Sequence, residues 1–176
     1  MHVGQRAPKP DANKIYHMRK IDNLFAEYGE SHRNVTNKAI HWICVPLIFF
    51  SIVGLIASIP SHTVQSVLGD GNPYANWAAV GLLLALIYYV SLSIPLSIGM
   101  MLFSVLCLIM VNAIVRFTST PLWSVSLIIF IVAWVGQFYG HKVEGKKPSF
   151  LKDVQFLLIG PAWLMHFIYR RLGIPY

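Results

Sequence analysis

Imidazole is the side chain best suited to chemistry in this sequence, and its seven copies are unevenly placed. His2, His17 and His62 fall in polar or loop sequence, where solvated or interfacial rings are the plain reading. His32, His41, His141 and His166 stand at or near the edges of long apolar runs. Neutral imidazole suits iron, zinc, copper and nickel, whereas carboxylate suits harder metals. His141 and Glu144 are i, i+3 and share a face if their helix continues that far. Such a group, with one carboxylate, could hold Fe(II) and keep positions open for dioxygen and a substrate. The plainer account makes each ring an interfacial amphipath with a satisfied N–H. That account weakens for four rings together, because polar groups at membrane depth are costly and tend to be functional.

The spacing of these residues constrains the chain around them. His32 and His41 are nine residues apart, which puts them about 180° apart on one continuous helix. Both can face one site only if the helix breaks between them, and Arg33-Asn34-Val35-Thr36-Asn37 offers turn and cap chemistry for such a break. Lys146 and Lys147, just beyond Glu144, could hold an acyl carboxylate at headgroup level or simply form a positively charged loop. The HxxxH and HxxHH boxes of di-iron membrane desaturases are absent. Cys44 and Cys107 lie inside apolar runs without CxxC spacing, so they read as small buried hydrophobes.

The elements that must position these residues are membrane elements. Of 176 residues, 56% are hydrophobic and 12% charged, against about 25% charged in a soluble domain. No apolar segment with a cleavage pattern occupies the first forty residues, so the first apolar run is expected to be retained as a span. The expected fold is all-α: a polytopic membrane helix bundle of four transmembrane helices, an N-terminal amphipathic helix and a C-terminal short or re-entrant helix. Residues 1–13 form a polar tail. Over 14–30, Ile15, Met18, Ile21, Leu24, Phe25 and Tyr28 recur at helical spacing. Spans are expected at 39–59, capped by Thr36 or Asn37, and at 77–94, 96–115 and 122–140. The stretch 154–169 is shorter and holds Gly160-Pro161, so it either crosses tilted or dips in and returns.

Charge orients the bundle. Seven Lys/Arg precede the first span, four follow the fourth, and Arg170 and Arg171 follow the fifth stretch, with only Arg116 on the other side if that stretch re-enters. The positive-inside rule then makes the N-terminus cytoplasmic and favours re-entry. On that topology all four edge histidines reach one face. The net charge of +7 comes without an aromatic-basic recognition motif, so anionic lipid, not nucleic acid, is the expected partner.

Two motifs carry a family resemblance. Tyr28…Ser31-His32…Asn37-Lys38-Ala39-Ile40-His41…Pro46 and Gln137-Phe138-x-Gly140-His141, with Glu144, Pro148 and Gly160-Pro161, resemble the 2-hydroxy fatty acid dioxygenase family over about residues 20–172. Members known from yeast endoplasmic reticulum act in α-oxidation; this chain looks like a bacterial-type member, which implies an inner-membrane location. The resemblance implies an Fe(II) enzyme that takes a 2-hydroxy fatty acid and dioxygen to an acid one carbon shorter. It implies His32, His41 and His141 as iron ligands, with His166 as a fourth ligand or a group behind them. Glu144 or Asn37 would orient the ligand imidazoles, and Lys146 and Lys147 would steer the carboxylate. Two other classes stay open: a zinc-dependent membrane hydrolase acting on lipid, and a transporter or scaffold. Against transport, the spans hold little polar at mid-depth beyond Ser51, Ser91, Ser93 and Asn112. Assembly as a homo-oligomer is equally open.

Overall fold

The computed structural model describes residues 19–145 and 156–176. Among these residues the chain is all-helical, with seven helices: α1 (Lys20–Gly29), α2 (Val35–Ala57), α3 (His62–Leu68), α4 (Trp77–Leu92), α5 (Ile94–Phe117), α6 (Leu122–Glu144) and α7 (Ile159–Leu172). Three of them, α2, α5 and α6, are long and apolar enough to cross a membrane. With 16 residues, α4 spans about 24 Å, less than the roughly 30 Å hydrocarbon core. The outer faces of α4, α5 and α6 expose Leu83, Ile87, Leu102, Ile109, Ile128 and Val132. A helix apolar on its outer as well as its inner face has lipid as its natural solvent.

Helix limits differ from the sequence expectation where side chains bond the backbone. α2 begins at Val35 because Asn34, not Thr36 or Asn37, caps it, accepting from Thr36 N–H at 2.8 Å and Asn37 N–H at 3.3 Å. α6 runs on past residue 140 to Glu144 and ends at Gly145, whose φ of 74° suits glycine. That extension puts His141 and Glu144 on one continuous helix. Pro95 sits in the first turn of α5, where its missing N–H costs nothing. Pro161 likewise enters in the first turn of α7. α3, in the 60–76 connection, has no counterpart in the sequence expectation; of the 14–30 helix, 20–29 is formed and 14–18 lies outside the described residues.

α2 is the centre of the bundle, packing on α4, α5, α6 and α7, most extensively on α6. α7 packs on α1, α2 and α5. Its Tyr169 hydroxyl donates to the carbonyl of Pro95 at 2.8 Å, and its Arg171 shares a pocket with Lys38 at the start of α2. α7 therefore ends at the same end of the bundle as α2 begins and α6 finishes.

Candidate metal centre

The site rests on how closely α2 and α6 approach. A Cβ on Gly136 would stand 2.8 Å from Cys44 Sγ, one on Gly54 would run into Ser126, and one on Gly140 into the Asn37 carboxamide. The pairs 54/126, 44/136 and 37/140 run antiparallel, so small residues let two backbones meet along the whole seam. His41 on α2 and His141 on α6 therefore face each other, their ring centroids 5.0 Å apart.

His32 joins them from the turn between α1 and α2. Its ring lies 4.3 Å from that of His41 and 5.6 Å from that of His141. All three rings are buried, at 3%, 0% and 4% exposure for His32, His41 and His141. One ligand atom from each falls within 4.8 Å of the others, so the three could hold a metal ion.

The ring nitrogens are already sorted. His32 Nδ1 meets the Tyr28 carbonyl at 2.6 Å and His41 Nδ1 meets the Asn37 carbonyl at 2.9 Å, each one helical turn back. A carbonyl accepts only, so each Nδ1 carries the proton and each Nε2 keeps its lone pair. His41 Nε2 is buried and has no hydrogen-bond partner among the described residues. Tyr28 stacks on His32 at 4.2 Å, and Trp163 of α7 packs 5.3 Å from it, which keeps water from that side.

Glu144 lies beside the rings but grips the backbone. Its carboxylate accepts from Arg33 N–H at 2.9 Å, from Asn34 N–H at 2.8 Å and from Asn37 Nδ2 at 3.1 Å. The Asn37 amide also donates to Ser31 O at 3.0 Å. Glu144 thus ties the end of α6 to the turn carrying His32, while Asn37 orients His41 through its carbonyl and not its side chain. The sequence expectation has one or the other side chain orienting the ligand imidazoles directly. The unforeseen element is the turn, whose unsatisfied N–H groups ahead of α2 attract the carboxylate.

His166 does not join the three. Its ring packs on Phe25 at 5.2 Å and Phe167 at 5.1 Å, and its Nδ1 is hydrogen-bonded by the Tyr176 hydroxyl. Burial, with Arg170 nearby, lowers its pKa from the ordinary imidazole value. Lys146 and Lys147 lie outside the described residues.

Gln137 was quoted in a motif without a role. It lies one turn before His141 on the same face, 5% exposed, and its Oε1 has no hydrogen-bond partner among the described residues. The legible signal was a carboxamide within an apolar span. With Tyr28, Val45, Ile48 and Gly160 it lines a narrow neck one helical turn from His141.

A family model described as 2-hydroxy-palmitic acid dioxygenase Mpo1-like matches residues 18–172, which include His32, His41, His141, Glu144 and Gln137. The chain belongs to the Mpo1-like family. It is similar to the 2-hydroxy-palmitic acid dioxygenase MPO1 of Saccharomyces cerevisiae, 29% identical over 148 residues, covering 83% of this chain and 78% of the yeast protein. No solved structure matches it. For an Mpo1-like chain the buried imidazole triangle is the feature that invites a metal, and it is assembled from the two motifs first read in the sequence.

Proposed function

We propose that this Mpo1-like chain is an Fe(II)-dependent dioxygenase that shortens 2-hydroxy fatty acids by one carbon at the cytoplasmic face of a membrane. The observation that carries this reading is the buried triangle of His32, His41 and His141, with ligand atoms within 4.8 Å of one another. The overall change balances without a further reductant: a 2-hydroxy acid and dioxygen give the shorter acid, carbon dioxide and water. Bound ferrous iron supplies the redox reaction with dioxygen that side chains alone cannot perform.

The chain's own residues bind, orient and exclude water. The Tyr28 and Asn37 carbonyls fix the tautomers of His32 and His41. Glu144 fixes the turn that brings His32 to the other two rings. Gln137 Oε1, an acceptor without a partner among the described residues, accepts a hydrogen bond from the 2-hydroxyl of the substrate. Lys146 and Lys147 steer the carboxylate from the headgroup layer. The apolar stretch 154–169 re-enters instead of crossing, so Arg170 and Arg171 lie on the same side as the cytoplasmic lysines.

Two measurements test the reading. Metal content after anaerobic purification should show iron at about one per chain, and His32→Ala, His41→Ala and His141→Ala should each lose it. Incubation with 2-hydroxypalmitic acid under oxygen should yield the C15 acid. Iron retained in all three variants would sink the ligand assignment; bound iron without chain shortening would sink the reaction.

A further inference from the structure

Glycines in this bundle do two different jobs. Gly54, Gly136 and Gly140 sit where a Cβ would collide with the facing helix. Gly81 on α4 is the opposite case, since a Cβ there would meet nothing within 4 Å. A mid-helix glycine is disfavoured relative to alanine, and no close approach accounts for this one. What its missing side chain leaves is space: a chamber of about 360 Å³ between α2 and α4, lined by Phe49, Ile52, Val53, Gly81, Leu82 and Ala85, with Leu157 and Leu158 in its wall. That volume falls in the range of roughly 300–1,000 Å³ that small-molecule sites occupy.

The chamber and the narrow neck that holds Gln137 share one wall, Leu157. His41, Val45, Ile48 and Ile52 follow one another on a single face of α2, at i, i+4, i+7 and i+11. From His41 to Ile56, at the chamber wall, α2 rises about 22 Å. A ligand with its head at the imidazoles, a hydroxyl at Gln137 and a long apolar tail would fit this path.

Resting on the reading above, we propose that the acyl tail of the 2-hydroxy acid occupies the α2–α4 chamber, and that Gly81 sets the tail length accepted. The neck holds about 20 Å³, room for little more than a water. Leu157, in the turn before α7, is therefore the wall that the tail displaces.

The test uses the full chain in detergent with saturated 2-hydroxy acids from C10 to C20. Gly81→Leu shortens the chamber and Ile56→Ala lengthens it. For Gly81→Leu, kcat/KM for C16 and longer acids should fall by about tenfold or more, the scale on which apolar pockets discriminate methylenes, with C10 and C12 changing less than about twofold. Ile56→Ala should move the preference toward longer acids. If Gly81→Leu does not fold, judged by size-exclusion profile and circular dichroism, Ile56→Ala decides alone. Length profiles identical to wild type in every folded variant would overturn the proposal and leave the chamber to bilayer lipid. Native mass spectrometry with non-hydroxylated fatty acids of the same lengths separates this result from failure of the dioxygenase reading. A wild-type chain that shortens no 2-hydroxy acid would end that reading, while a Gly81→Leu shift in the longest acid bound would still support the chamber, and no shift would overturn it.

Discussion

Two histidines that the sequence places at the edges of apolar runs stand in opposite environments in this bundle. His41 lies at the seam of α2 and α6 with Nδ1 on a backbone carbonyl and Nε2 turned toward two other imidazoles. His166 lies in an aromatic nest of Phe25, Phe167 and Tyr176, where the tyrosine hydroxyl meets its Nδ1. The partner of Nδ1 separates them. A carbonyl fixes the proton on Nδ1 and frees Nε2 for a metal, whereas a hydroxyl, able to donate or accept, fixes neither nitrogen.

The sharpest way to break this comparison is to remove one ring from each environment. His41→Ala should lower metal affinity by more than about 100-fold and abolish chain shortening, since it deletes a ligand and not merely its support. His166→Ala should retain both within about threefold. Equal losses of metal in the two variants, measured by elemental analysis, would erase the distinction.

A smaller effect is expected at the strap. Glu144→Gln weakens acceptance from Arg33 and Asn34 N–H without touching an imidazole ligand atom. Metal affinity should fall about 10- to 100-fold, the usual scale for groups that orient ligands, as read by chelator competition. An unchanged affinity would mean that the turn holds His32 without help from α6.

Next in size comes the seam itself. Gly140→Ala drives a methyl into the Asn37 carboxamide, and overpacking of this kind costs about 1–3 kcal/mol. The thermal midpoint in detergent should drop, and iron content should drop with it because Asn37 carries the carbonyl that orients His41. A lower midpoint at full iron content would separate the packing of the seam from the geometry of the site.

The smallest effect concerns protons. His166 is held below its ordinary pKa of 6.5 by burial and by Arg170, so its stabilising contribution is complete above that value. It is lost as pH falls toward the lowered folded value, because the unfolded chain then binds the extra proton. His166→Phe should therefore flatten part of the fall in thermal midpoint between pH 7.5 and 5.5. Parallel curves for the two proteins would show that this ring does not titrate with unfolding.

Much of this was legible in the sequence because apolar run length and charge bias report directly on helices in lipid. The run at residues 122–140 and the Lys/Arg asymmetry gave α6 and a shared end for the edge histidines. What the sequence could not convey was contact. Whether α6 continued through Glu144 depended on its carboxylate finding N–H groups more than a hundred residues away, and hydropathy carries no trace of that bond. The cap at Asn34 was missed because Thr36 and Asn37 are equally good cap residues by type. His166 and His141 look alike in one dimension; only the packing of Phe25 against one of them tells them apart.

The long reach of the strap has a consequence for how the protein is made. Arg33 and Glu144 are 111 residues apart, which at roughly 5–20 residues per second is about 6–20 s of synthesis. Over that interval the turn that holds His32 has only its local bonds, such as Asn37 Nδ2 to Ser31 O, and lacks both the Glu144 carboxylate and the third ring, His141. The triangle of rings is complete only in a nearly finished polypeptide.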